Sequence, residues 1–156
     1  GHVAKHNPLW QVPADQDLLV VFQGPSTYIS PNWYATKHEA GKVVPTWNYT
    51  VVHAHCSLHA IHDPEQVRQL VTQLTDQHEA SQAHPWRVAD APSDYTDMLL
   101  ANIVGIELRV HRMQGKWKVS QNQPSQNQQS VVQGLLSEGA DAQAQMASLV
   151  QARSGL

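Results

Sequence analysis

The feature that most constrains the fold is one long stretch of β-strand character, from Lys42 to Ile61. Only Pro45 interrupts it, and a proline within a strand marks an edge position or a bulge. Because side chains alternate across a strand, the stretch has two faces. One face carries Tyr49, Val51, His53 and His55, and the other carries Asn48, Val52, Ala54 and Cys56.

Further strands are predicted on both sides of this stretch. The apolar run Leu18 to Phe22 predicts a short strand that is buried on both faces. Gly24-Pro25 is expected to end this strand. Ile103 to Val110 alternates apolar and polar residues, and Gln114-Gly115 predicts the turn of a hairpin with one buried face.

Helices are predicted by their capping signals. Asp63-Pro64 predicts an N-cap and a first helical residue, with apolar residues at helical spacing through about Glu79. Ser93 begins a shorter helix, Asp141 can cap a last one, and Ser120 to Gln129 is expected to be mainly a polar loop. The order of elements predicts a mainly β protein, an antiparallel barrel or sheet with flanking helices.

Charge and cysteine content exclude several classes of protein. The formal net charge is −3, so no global positive field attracts nucleic acid or acidic lipid. The single Cys56 excludes an internal disulfide framework, and the chain has neither a long apolar run nor a basic leader. We therefore expect a cytoplasmic protein without a membrane span.

The His53-Ala54-His55 pair is a candidate metal site, because two histidines on one strand face can chelate a transition metal. His59 continues the same face, but no carboxylate stands at ligand spacing. A partly exposed sheet face explains these histidines better, so no metal is predicted. Cys56 falls on the opposite face, where a small buried thiol is the better interpretation than a nucleophile.

A second candidate site is a concentration of aromatic, amide and basic residues. A planar heteroaromatic ligand with a phosphate tail needs stacking surface, amides for the ring edges and hydroxyl or lysine donors for the phosphate. The competing interpretation is that the aromatics are core and the amides a solvated loop. No GxGxxG, P-loop or GxSxG motif is present. The members are Trp33, Tyr34, Lys42, Thr46, Trp47, Asn48, Tyr49, Lys116, Trp117, Lys118, Ser120, Gln121 and Asn122.

These residues belong to strings that closely resemble the PaiB family of FMN-binding negative transcriptional regulators, relatives of the pyridoxamine-phosphate-oxidase-like split barrels. The strings are Phe22-Gln23-Gly24-Pro25, Gly41-Lys42-Val43-Val44-Pro45-Thr46-Trp47-Asn48-Tyr49, Val52-His53-Ala54-His55, Ile103-Val104-Gly105-Ile106-Glu107 and Gly115-Lys116-Trp117-Lys118. The resemblance extends from Gly1 to about Leu136. The chain departs from it at Cys56, where the family usually has glycine.

The resemblance implies an FMN-binding split β-barrel over residues 1–122, followed by a helical extension over residues 123–156. It also implies a homodimer with the flavin at the subunit interface. Because the chain opens on a strand that family members reach after earlier elements, we expect the barrel to be incomplete at its N-terminus. By position, the implied FMN ligands are His2, Lys5, Asn7, Lys42, Val44, Pro45, Thr46, Trp47, Asn48, Tyr49, Lys116, Gln121 and Asn122.

Two functions remain open. The family implies a flavin-binding regulatory protein without catalytic residues. The alternative is a flavin-dependent oxidoreductase of the pyridoxamine-phosphate-oxidase-like class, for which the sequence offers no obvious proton-transfer pair. Direct DNA binding is expected to be weak, because no predicted helix carries a basic stripe.

Overall fold

The computed structural model describes residues 1–154 and contains, within them, one four-stranded sheet with flanking helices. The strands are β1 (His2–Ala4), β2 (Leu18–Ile29), β3 (Thr46–Ile61) and β4 (Ile103–Lys118), hydrogen-bonded in the order β1-β4-β3-β2. The α-helices are α1 (Lys37–Ala40), α2 (Pro64–Glu79), α3 (Ser93–Leu100), α4 (Ser125–Glu138) and α5 (Asp141–Ser154). The predicted mainly β fold with flanking helices is confirmed. No helix within the described residues is long and apolar enough to cross a membrane.

The chain divides into two compact units. Unit 1 consists of Gly1–Leu19 and His55–Arg112, and unit 2 consists of Val20–Ala54 and the residues from Met113. The long strands β2, β3 and β4 each contribute residues to both units.

In unit 1, β1 pairs antiparallel with the start of β4, so that His2 lies opposite Gly105. The predicted helix after Asp63 is confirmed, and the Asp63 side chain accepts a hydrogen bond from the Glu65 N–H at 3.3 Å. Gly105 lets α2 approach the sheet, because a Cβ built there would lie 3.3 Å from a methyl carbon of Leu70.

In unit 2, α4 and α5 cover one side of the sheet and form the main apolar core. Gly134 of α4 lies against Trp33, where an added Cβ would come within 2.4 Å of the indole ring. The buried cluster consists of Ile29, Tyr34, Val119, Val131, Val132, Leu135, Met146, Ala147 and Val150.

The strand predicted over Leu18 to Phe22 is longer and more exposed than expected. It continues through Gly24-Pro25 to Ile29, because β2 is an edge strand and tolerates a residue without an N–H. At Gly24 a Cβ would lie 2.2 Å from Thr50 Oγ1, so glycine permits the close approach of β3. The prediction of burial on both faces is wrong, since Phe22 is 59% exposed.

The predicted hairpin turn at Gln114-Gly115 is also wrong, because β4 runs without interruption to Lys118. Gly115 instead makes room for a neighbouring ring: a Cβ there would lie 2.3 Å from a ring carbon of Trp117. The predicted loop from Ser120 to Gln129 is shorter than expected, since α4 begins at Ser125. Polar residues in this segment predicted a solvent-exposed loop, but the Asn127 and Gln128 amides are buried and have hydrogen-bond partners.

Candidate functional site

A polar cavity of about 230 Å³ lies in unit 2, and we call it the lysine cavity. Most of its lining groups are hydrogen-bond donors or acceptors, and two of them are ammonium groups. The lining residues are Tyr34, Thr36, Lys42, Val43, Val44, Thr46, Asn48, Lys118, Ser120, Asn122, Gln123 and Asn127.

The wall of the lysine cavity is fixed by a buried amide of β3. Asn48 is 1% exposed, and its Nδ2 donates to Ser120 Oγ at 2.9 Å. Ser120 has a φ of 61°, and within the described residues it is the one non-glycine residue with positive φ. The Gln128 side chain holds this conformation by donating to the Ser120 carbonyl at 3.3 Å. Strained backbone held in place by its neighbours is common at binding sites.

Two lysines reach the cavity from different elements. Lys118, the last residue of β4, donates to Thr46 Oγ1 and to the Trp47 carbonyl, the latter at 2.8 Å. Lys42 follows Gly41, whose φ of 64° ends α1 and turns the chain toward β3. The cavity therefore combines a lysine held by β3 with one on the preceding loop.

Uncharged donors complete the wall. The Thr36 N–H donates to Asn127 Oδ1 at 3.0 Å, and Asn127 Nδ2 donates back to Thr36 Oγ1 at 3.0 Å. Burial raises the pKa of the Tyr34 phenol above its ordinary value, so the hydroxyl stays protonated and uncharged at neutral pH. Among the described residues that line it, the cavity has no acidic side chain, and its two lysines give it a net positive charge.

A second cavity of unit 2, of about 520 Å³, lies along the other face of β3. Tyr49, His53 and Lys116 are among its lining residues, and Lys116 Nζ lies 5.7 Å from the centre of the Tyr49 ring. On the same strand Trp47 is 55% exposed and meets Tyr28 edge to face at 6.1 Å. This aromatic face offers the stacking surface that a planar ring requires.

Because side chains alternate along β3, the FMN ligands expected in unit 2 fall on two sides of the strand. Lys42, Val44, Thr46, Asn48 and Asn122 line the lysine cavity, whereas Tyr49 and Lys116 line the aromatic side. Trp47 is exposed, and Pro45 directly precedes β3. Gln121 bonds to the backbone around it, donating to the Trp117 carbonyl at 2.6 Å.

The remaining three expected ligands lie in unit 1, where each has local contacts. Lys5 Nζ donates to the Ala101 carbonyl at 3.4 Å, and His2 belongs to β1. Asn7 caps the short 3₁₀ helix Pro8–Gln11 by accepting from the Leu9 N–H at 3.0 Å. Their role as flavin ligands stays a prediction.

Sequence reasoning missed several residues of the lysine cavity. Lys118 was noted beside Lys116 but not chosen as a ligand, although the structure places Lys118 on Thr46. Sequence spacing does not show whether Lys116 or Lys118 reaches the lysine cavity, because this depends on how β3 and β4 pair. Thr36 and Asn127 were missed because they reach the cavity only in the folded chain. Ser120, like Lys118, belonged to the candidate site but was not chosen as a ligand.

The histidine pair of β3 has a partner that the sequence did not reveal. His55 Nδ1 lies 2.7 Å from Asp17 Oδ2, and Arg112 Nη2 lies 2.7 Å from His55 Nε2. Because arginine only donates, Nε2 accepts and the neutral imidazole donates from Nδ1 to Asp17. Cys56 lies on the opposite face and is 1% exposed, as expected.

No group of three or more His, Cys, Asp or Glu residues within residues 1–154 is placed to hold a metal ion. The carboxylate of Asp17 approaches His55 but a third ligand is not found there among those residues. That His53 and His55 bind no metal stays a prediction.

The donor set of the lysine cavity fits the phosphate and sugar-alcohol end of a flavin nucleotide. Ammonium and hydroxyl groups suit the phosphate, and the amides of Asn48 and Asn122 suit the hydroxyls. With about 230 Å³ the cavity is smaller than sites that enclose a whole organic ligand, which measure about 300–1,000 Å³. The ring system would have to lie outside it.

Comparison with known proteins identifies the family. Residues 1–112 match the family described as "Putative FMN-binding domain". The Bacillus subtilis protein named "Protease synthase and sporulation protein PAI 2" is 32% identical over 152 residues, covering 97% of this chain and 70% of the relative. The chain belongs to the PaiB-like FMN-binding family. FMN is thus the cofactor indicated for this chain, and the split-barrel fold class is confirmed by the family and the antiparallel sheet.

The family also has fungal members. An uncharacterized protein of Emericella nidulans is 34% identical over 180 residues, covering 98% of this chain and 72% of the relative. An uncharacterized protein of Aspergillus fumigatus is 31% identical over 189 residues, covering 100% and 72%. The similarity therefore extends beyond residues 1–112 and across almost the entire chain.

Proposed function

We propose that this chain is an FMN-binding regulatory protein of the PaiB type. The main support for the proposal is the lysine cavity, where Lys42, Lys118 and a set of hydroxyls and amides converge. Its lining, as far as the structure describes it, includes no carboxylate. Such a cavity suits a phosphate ester, because its ammonium, hydroxyl and amide groups can donate hydrogen bonds to the phosphate oxygens. The regulatory part of the proposal is supported by the similarity to the PaiB-named relative.

The thirteen residues expected from the sequence remain the proposed ligand set, with Lys118 and Ser120 added. The lysine cavity would hold the phosphate end, and the aromatic side of β3 would meet the ring. His2, Lys5 and Asn7 of unit 1 stay in the proposed FMN ligand set on the family resemblance. Bound FMN would supply one- and two-electron redox chemistry, whichever function is correct.

Quenching of FMN fluorescence on titration with the full chain tests the ligand assignment. We expect Lys42→Ala and Lys118→Ala each to weaken binding about tenfold to a hundredfold, because a lost charge-assisted hydrogen bond costs about 1.5–3 kcal/mol. Lys37→Ala is the matched control, since Lys37 lies on α1 and bonds to Asn32. Lys5→Ala tests unit 1 in the same way. Unchanged affinity in both Lys5→Ala and Lys42→Ala would contradict the proposed phosphate site.

We propose that the protein forms a homodimer whose interface includes the stretch from Lys42 to Ile61. The exposed rings of Trp47 and Tyr28 on unit 2 support this, because large exposed aromatic surfaces mark interaction sites. Two-fold symmetric pairs are the commonest oligomers. Sedimentation of the full-length protein at micromolar concentration should show a dimer, and a monomer would refute the proposal.

Direct DNA binding is proposed to be weak and strongly salt-dependent. Three of the local basic residues have other partners: Arg109 bonds to Glu107, Arg112 bonds to His55, and Lys118 lines the lysine cavity that is proposed to hold the flavin phosphate. Regulation would then act through a protein partner or through metabolite turnover. A mobility-shift assay with random duplex at physiological salt should show no binding tighter than about 1 μM.

The alternative is a flavin-dependent oxidoreductase of the pyridoxamine-phosphate-oxidase-like class, and the His55 arrangement favours it. The imidazole bonded to Asp17 is the kind of proton-transfer pair that the sequence did not show. Steady-state assays with NAD(P)H under air separate the two functions. Turnover that falls in a His55→Gln variant supports the enzyme, whereas reduction limited to one equivalent supports the regulator.

Two further assignments follow the family proposal. We place the boundary between the FMN-binding domain and the helical extension after residue 122, just before α4. We also propose a cytoplasmic location, consistent with a single buried thiol and no pairing cysteine. Limited proteolysis tests the boundary, since an early cut between residues 120 and 125 is expected there.

A further inference from the structure

Unit 1 contains a larger cavity that the flavin proposal does not use. It measures about 650 Å³ and lies among α2, the 3₁₀ helix Val88–Asp90 and α3. This volume falls within the range of about 300–1,000 Å³ that is usual for small-molecule sites. The cavity is separate from the lysine cavity in its lining residues.

The lining of this cavity combines apolar walls with groups of opposite charge. Val88, Ala89 and Ala91 contribute apolar surface, and Arg68 and Arg87 contribute guanidinium groups. Asp76 is the acidic member of the lining. A guanidinium group binds a carboxylate through two parallel hydrogen bonds, which gives both affinity and orientation.

The walls are held by hydrogen bonds that do not involve a ligand. Arg68 on α2 pairs with Asp97 on α3. The Trp86 N–H donates to Glu79 Oε2 at 3.0 Å, and the Arg87 N–H donates to Asp90 Oδ2 at 2.9 Å. Two hydrogen bonds thus hold the backbone at and just before Arg87, and a preorganised site loses less entropy on binding.

The charges indicate which group would contact a ligand. Arg68 is already paired with Asp97, whereas neither Arg87 nor Asp76 takes part in an ion pair among the residues that the structure describes. We propose that this cavity binds a small molecule with an apolar body and a carboxylate, which Arg87 recognises. An amino group on the ligand would face Asp76. The proposal does not depend on FMN.

Titration of the full chain, followed by amide NMR and calorimetry, tests the proposal with phenylacetate as the probe. Phenylacetamide is its uncharged counterpart, and L-phenylalanine adds an amino group. We expect phenylacetate to shift the amides of Val88, Ala89 and Ala91 and to bind at least about tenfold more tightly than phenylacetamide. Tighter binding of L-phenylalanine than of phenylacetate would further support the site and assign the amino group to Asp76.

Variants separate a specific site from a surface effect. Arg87→Gln should weaken phenylacetate binding about tenfold or more, whereas Arg109→Gln should leave it unchanged, because Arg109 pairs with Glu107 away from this cavity. Ala91→Leu adds volume to the wall and should abolish binding of both phenylacetate and L-phenylalanine. Equal binding of phenylacetate and phenylacetamide, full affinity in Arg87→Gln, or no shift of the cavity amides would overturn the proposal.

Discussion

The two faces of β3 between Thr46 and Ala54, all within unit 2, have opposite environments. On the covered face Asn48, Thr50 and Ala54 are buried, at 1%, 7% and 1% exposure. On the open face Trp47 is 55% exposed, and Tyr49 is partly exposed beside Lys116. One strand thus supports both a packed interior with a polar cavity and an aromatic surface open to a ligand or partner.

The difference shows that the residue types alone do not decide which face is buried. The covered face carries an asparagine and a threonine, while the open face carries a tryptophan and a tyrosine. Asn48 is tolerated inside because Ser120 Oγ accepts its hydrogen bond at 2.9 Å. Trp47 and Tyr49 are less covered than Asn48, and we propose that their rings meet the flavin ring or a partner subunit.

The largest expected effect concerns the apolar core of unit 2. Leu135 is 0% exposed in the cluster formed by α4 and α5, so Leu135→Ala should lower the free energy of unfolding by about 2–5 kcal/mol. The adjacent Leu136 is 49% exposed, and Leu136→Ala should cost much less. Chemical denaturation of both variants measures the difference. Equal losses of stability in the two variants would contradict the assignment of Leu135 to the interior and Leu136 to the surface.

The next effect concerns the open face. Trp47→Ala should weaken the proposed homodimer by about 2 kcal/mol or more, because a large exposed ring at an interface is a typical hot spot. Sedimentation across a concentration series measures this shift. Denaturation of the variant under monomeric conditions should show little loss of stability, since the ring is half exposed. A dimer of unchanged affinity would remove Trp47 from the interface.

A smaller effect is expected where α4 contacts Trp33. Gly134→Ala places a methyl group 2.4 Å from the indole, so overpacking should cost about 1–3 kcal/mol. This equals or exceeds the gain of about 1 kcal/mol that alanine normally brings to a helix interior, so no net stabilisation is expected. Gln133→Ala on the same helix is the control. A more stable Gly134→Ala variant would show that Trp33 moves aside at little cost.

The sequence predicted the elements with strong local signals and failed where tertiary contacts decide. The helix after Asp63 follows from its cap and periodicity, and the long strand from its β-branched residues. Gly24 and Gly115 were taken for breaks, although both make room for neighbours. Gly24 lies against Thr50 of another strand, which local sequence does not place, and Gly115 lies against the ring of Trp117, two residues along β4. The candidate site followed the same pattern. The ligands proposed on the loop and strand from Lys42 to Tyr49 were predicted as a group. Their division between two cavities, and the place of Lys118 in one of them, depend on how the strands pair.

The smallest expected effect has the opposite sign and lies on β2, beside the covered face of β3. Thr27 is 4% exposed, and its Oγ1 is buried without a hydrogen-bond partner among the residues described. Burying an unpaired hydroxyl is unfavourable, so Thr27→Val, which keeps the branched shape, should raise the free energy of unfolding by about 1 kcal/mol. Thr50 is also buried, but it lies beside Gly24 at close approach, so Thr50→Val serves as a comparison with no expected gain. The midpoints of denaturant unfolding measure both changes, provided that the denaturant dependence of the free energy of unfolding is the same in each variant. A loss of stability in Thr27→Val would mean that the hydroxyl finds a partner, such as an ordered water, inside the covered face.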